Sequence, residues 1–170
     1  MKASCLLGFA VVLACVWTPG LGEDQAQPER EPSSREVVAK ALDSLSQGTG
    51  KWTLFSVTYS DLHPLHGGIR MTIHGTGEVT QQVVREKAGK AKKVTDADLK
   101  KLVELLRKHS AWEQKEADRP AVPDESKAHL TVSYGEDSTS VWEWHKDLKS
   151  NQRLLDIREA MKNSAWESPP

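Results

Sequence analysis

The sequence predicts an α+β fold of two layers, with an antiparallel sheet of about five strands and helices packed on one of its faces, in the order α-β-β-β-α-β-β-α. Three observations predict it. Several short segments alternate apolar and polar residues, the period of a strand with one buried face. Gly-containing turns join those segments, and such turns pair neighbours antiparallel. Other segments carry the 3.6-residue apolar stripe of a surface helix between capping residues.

Each element follows from its residues. Ser33 is placed to cap a first helix, with Glu36 completing a capping box; Val38, Ala41, Leu42 and Leu45 form its stripe, and Gly48 and Gly50 end it. Trp52 to Ser60 reads as a strand with Phe55, Val57 and Tyr59 on one face. Ile69, Met71 and Ile73 alternate with Arg70, Thr72 and His74. Gly75-Thr76-Gly77 then turns the chain into a strand over Glu78 to Arg85, with Val79 and Val83 opposite Thr80 and Gln82. Thr95 is the expected cap of the strongest helix. Asp96 and Asp98 suit its positive end, and Leu99, Leu102, Val103 and Leu106 form its stripe. Residues 113–126, with two prolines, read as irregular. In a second hairpin, Leu130, Val132 and Tyr134 alternate with His129, Thr131 and Ser133. Gly135 to Asp137 form its turn, and Ser138 to His145 return with Trp142 and Trp144 on one face. Aromatic residues dominate core burial, so both tryptophans are expected to cap the core against a helix. A last helix is expected from Ser150 to Lys162, burying Leu154, Ile157 and Met161.

The 170 residues carry 23 basic and 24 acidic side chains, a net charge of −1, and 38% apolar residues. That composition suits a globular domain and excludes collagen-like, disulfide-dense and multi-span membrane chains. The even charge balance argues against a dedicated nucleic-acid binder. Residues 1–22 read as a secretory signal peptide: Lys2, an apolar run from Cys5 to Trp17, a Thr18-Pro19 break, and Gly20 and Gly22 before a cut at Glu23. A second cut is also legible. Val12-Leu13-Ala14-Cys15 resembles a bacterial lipobox, which would leave a lipid anchor on Cys15 as the only membrane attachment. Residues 23–33 read as a disordered linker, 34–163 as a single α+β domain and 164–170 as a disordered tail. Cleavage at Glu23 removes both cysteines, and with them any disulfide or thiolate chemistry.

The run Gly67-Gly68-Ile69-Arg70-Met71-Thr72-Ile73-His74-Gly75-Thr76-Gly77-Glu78-Val79, the helix after it and the Pro123-Asp124 pair before a late strand resemble small exported bacterial domains of unknown function. The resemblance covers about residues 52–145. It implies an exported α+β domain, periplasmic or secreted in a bacterial source, and no activity.

Catalytic motifs are missing: there is no Gly-x-Ser-x-Gly elbow, phosphate-binding loop, dinucleotide fingerprint or HExxH. His63 and His66, with Asp61 close by, are the candidate ligands for a divalent metal, the only cofactor the residues suggest. His74 lies a strand's length away, about 20 Å, and is a poor third ligand. His129 or His145 could join only if the sheet order brings it near. The candidate binding surface is the polar sheet face with Arg70, His74 and His129, together with Trp142 and Trp144. The expectation is therefore an exported, non-catalytic domain that binds a protein or an envelope polymer. The alternative is a metal-binding protein centred on His63 and His66, and an enzyme of unrecognised type is the residual reading.

Overall fold

A computed structural model describes residues 31–167, except 64, 88, 116–118, 121, 123 and 124. The expected signal peptide, the cuts at Glu23 and Cys15, most of the linker and the Pro123-Asp124 pair lie outside the described residues. Among those described, no helix is long and apolar enough to cross a membrane.

The domain is one five-stranded antiparallel sheet with helices over one face, and the element order is the expected one. Helix α1 (Ser34–Ser46) starts at the Ser33 capping box, where the Glu36 carboxylate accepts the Ser33 N–H at 2.8 Å. Strands β1 (Phe55–Ser60), β2 (Gly68–His74) and β3 (Val79–Val84) follow. Helix α2 (Asp96–Lys108) is capped by the Thr95 hydroxyl, which accepts the Asp98 N–H at 3.2 Å. Strands β4 (Lys127–Tyr134) and β5 (Asp137–Trp144) and helix α3 (Gln152–Ala165) complete the chain. The sheet order is β3-β2-β1-β4-β5. Each neighbouring pair is antiparallel, so β1 and β5 run in the same direction and end at the same rim of the sheet.

One sheet face is apolar because the pleat sends alternate side chains there. Phe55, Val57, Tyr59, Ile69, Met71, Ile73, Ala128, Leu130, Val132 and Val141 are all buried. The stripes of α1 (Val38, Leu42, Leu45), α2 (Leu99, Leu102, Val103, Leu106) and α3 (Leu154, Ile157, Met161) cover them in a single cluster. Each such side chain removed from water stabilises the fold by about 1.5–3 kcal/mol before entropy is counted.

Three expectations need correction. The first strand does not begin at Trp52. Trp52–Leu54 form a 3-10 turn, and the Trp52 carbonyl lies so close to Gly75 that a Cβ there would stand 1.8 Å from it. Residues 164–167 are not a loose tail. Helix α3 runs to Ala165, which is fully buried, and the Trp166 indole donates to Gln81 Oε1 at 2.5 Å. Nor do Trp142 and Trp144 cap the core against a helix, although Trp144 is buried as expected. Trp142 pairs with His129 and Trp144 with Lys127, on the face opposite Val141 and the helices.

Side-chain amides bond at both outer strands, but only at β5 does one take main-chain groups of the edge. At β3, Gln81 donates to the Gly89 carbonyl at 3.1 Å while accepting from Trp166. At β5, the Gln114 carboxamide accepts the Trp142 N–H at 2.7 Å and donates to the Trp142 carbonyl at 3.1 Å. One side chain thus does there what the next strand would do.

Candidate functional site

The open face of the sheet is built by register. Thr80 of β3 pairs with Thr72 of β2, Thr72 with Thr58 of β1, Thr58 with Thr131 of β4, and Thr131 with Ser140 of β5. A row of hydroxyls therefore crosses every strand, one per strand, at about 4.8 Å spacing. Two contacts run along it, Thr58 to Thr72 at 2.8 Å and Thr131 to Ser140 at 3.3 Å. The neighbouring row reads Gln82, Arg70, Ser60, His129, Trp142. Its charged and titratable members, with Lys127 and His74 on the same face, are all basic. No carboxylate projects from the strands on this side, because the acidic residues Asp137 and Glu143 fall on the helix-facing side of β5.

Between the two rows lies a shallow depression of about 330 Å³, lined by Thr58, Ser60, Arg70, His129 and Thr131. Arg70 is exposed, and its side chain makes no ion pair or hydrogen bond with any described residue. Desolvation, then the positive charges of Lys127 and Arg70, hold the His129 imidazole below its ordinary range. His129 is therefore a neutral donor and acceptor at pH 7. His74 sits at the far end of the face, paired with Ser56 and away from the depression.

Trp142 and Trp144 form an edge-on pair with centroids 5.3 Å apart. The Lys127 ammonium lies 3.6 Å from the Trp142 centroid and 4.5 Å from that of Trp144. The Arg119 guanidinium lies 5.4 Å from the Trp144 centroid. The indoles hold cations by their negative ring faces. They fix a positive charge at the border of the open face rather than offering a bare aromatic platform.

At the rim, the shared direction of β1 and β5 brings together histidines distant in sequence. His63 follows β1 and His145 follows β5. Ring centroids lie 4.4 Å apart for His63 and His66, 4.9 Å for His63 and His145, and 6.1 Å for His66 and His145. His145 is thus the third imidazole that sequence reasoning could not place, because its position depends on sheet order. The central donor, His63, is not free to turn to an ion. His63 Nδ1 accepts the Leu65 and His66 N–H groups at 3.0 and 3.2 Å, inside a turn closed by the His63–Gly67 pairing. Its remaining proton is then on Nε2. Desolvation, then neighbouring His66 and His145, hold His63 below the ordinary imidazole range. Among the described residues, no three His, Cys, Asp or Glu side chains form a group able to hold a metal.

Asp61 faces the interior instead. Its Oδ1 accepts the Ile69 N–H at 2.7 Å, and its Oδ2 accepts the Arg158 Nε–H at 2.8 Å and the Tyr59 hydroxyl at 3.2 Å. Burial, then the Asp61 charge, raises the Tyr59 hydroxyl far above its usual pKa, so it remains a donor. Asp61 is a structural carboxylate that ties β1, β2 and α3 together. Compared with known proteins, the chain matches no family, no curated protein and no solved structure.

Proposed function

We propose that this chain is an exported, non-catalytic binding domain whose working surface is the open face of its sheet, and that its partner is a polymer of the cell envelope. The observation that carries this reading is the hydroxyl row across all five strands beside a row of basic side chains, with the helices confined to the other face. A flat, polar surface with one sign of charge suits an extended partner laid across the strands. The N-terminal residues support export. The alternative reading, a divalent-metal protein, has less support. Asp61 and His63 Nδ1 are already engaged, although His145 joins His63 and His66.

The test is co-sedimentation of the full chain with washed, protein-stripped envelope from the cells that make it. Thr131→Glu, which places a carboxylate in the middle of the open face, is expected to abolish retention. Lys100→Glu, on the exposed side of α2, is expected to leave it unchanged. Retention that is unaffected by Thr131→Glu would remove the open face as the working surface.

A further inference from the structure

We infer that the depression between Arg70 and His129 is a carboxylate subsite, and that the polymer lying across the open face is an acidic polysaccharide. This rests on the open-face reading above and adds the chemistry of the ligand. Arg70 and His129 flank Ser60 in one register row, with Arg70 on one neighbouring strand and His129 on the other. Arg70 has no partner among the described residues, so its fork of donors is available to a two-oxygen acceptor. Burial, then the charges of Lys127 and Arg70, hold His129 below the ordinary imidazole range, which favours the neutral ring with one N–H over a second full charge. A monoanionic carboxylate suits that pairing better than a phosphate dianion does. Lys127, pinned over the two indoles, adds long-range attraction from the side without entering the depression.

The second half of the argument is the adjacent hydroxyl row. Thr58 and Thr131 line the depression as well as belonging to that row, so a group seated at Arg70 has hydroxyls beside it. Thr131 gives its proton to Ser140 and one of Thr58 and Thr72 gives its proton to the other, so the row presents mainly acceptor lone pairs, with a free donor at Ser140 and at one of that threonine pair. The strand spacing of about 4.8 Å is comparable to one sugar ring, so a linear polysaccharide can meet successive strands with successive hydroxyls. An acidic peptide would match the charge but would leave most of the hydroxyl row without partners.

The test is affinity electrophoresis of the full chain through gels containing polygalacturonate, dextran sulfate or neutral dextran. Polygalacturonate is expected to retard the protein, and dextran is not. Arg70→Gln is expected to weaken the polygalacturonate interaction about tenfold or more, the effect of losing a bidentate charged contact. Lys100→Gln, with the same change in net charge on an exposed helix, is expected to have no effect. Arg70 is exposed and unpartnered, so its variant tests binding rather than folding. Equal losses in Arg70→Gln and Lys100→Gln, or stronger retardation by dextran sulfate, would overturn the carboxylate subsite. So would retardation by dextran equal to that by polygalacturonate, although the open-face reading would survive that result. No retardation in any gel, together with envelope retention indifferent to Thr131→Glu, would overturn both.

Discussion

Replacing Asp61 by alanine removes a carboxylate that three buried or half-buried donors share. The Asp61 side chain is 6% exposed and that of Arg158 is 17% exposed, so the pair sits where water gives little compensation. Asp61→Ala leaves the Arg158 Nε–H, the Tyr59 hydroxyl and the Ile69 N–H without their acceptor. Breaking a buried pair from one side costs about 3–5 kcal/mol, since the remaining charge stays desolvated. Arg158 keeps its other arm on Glu86 at 2.7 Å, which places the expected cost near the lower bound, about 3 kcal/mol. For a domain of this size that is a fall in Tm of about 10 °C. Urea unfolding followed by tryptophan fluorescence reads the change as a lower midpoint at constant slope. Arg158→Met should reduce the penalty of Asp61→Ala by at least about 1 kcal/mol, because no stranded guanidinium remains. A loss below about 1 kcal/mol for Asp61→Ala, or strict additivity in the double variant, would refute the reasoning.

Other expectations follow from the same geometry. The folded-state pKa values of His63 and His129 lie below the unfolded value of 6.5, so the unfolded chain binds more protons there; Tm should fall as pH drops below 6.5, and His63→Gln/His129→Gln should flatten that part of the profile. Thr95 holds the Asp98 carboxyl down and Arg119 that of Glu125, so a second loss should begin only below about pH 4.5, read in the same thermal scans. Gly68 has φ +134°, and a Cβ there would stand 2.5 Å from the Asp61 carbonyl oxygen, so Gly68→Ala should cost about 3 kcal/mol in urea unfolding. Equimolar Zn²⁺ should leave Tm unchanged, since binding at His63 must break the turn its Nδ1 stabilises; a rise that vanishes in His145→Ala would overturn this. The intact mass of the protein from its own cells should begin at Glu23, and a lipidated Cys15 terminus would replace release with a membrane tether.

The fold was legible where periodicity and capping chemistry are local. Ser33 with Glu36, Thr95 with Asp98, and the alternation through Ile69, Met71 and Ile73 read directly onto their elements. The pleat of β5 was legible too, since Trp142 and Trp144 share a face. Which face packs on the helices was not, because that depends on the partner strand: Val141 meets Leu130, and this puts the tryptophans on the other face, where Trp144 is buried even so. Arg70 and His129 could be assigned to polar faces from their own strands. Their position on either side of Ser60 needed the order β2-β1-β4. Asp61 was misread for a similar reason. A carboxylate next to two histidines suggests a ligand set, but its partner Arg158 lies 97 residues away.

The amide plug at the β5 edge limits how this sheet can be enlarged. A strand edge with free N–H and C=O groups is a template for another chain, whether a ligand peptide or a second copy growing toward a fibril. Gln114 has already taken both main-chain groups of Trp142. Recognition by strand addition at β5 would first have to evict this side chain. The same substitution that frees an edge, Gln114→Ala, would also expose the outermost strand to self-association.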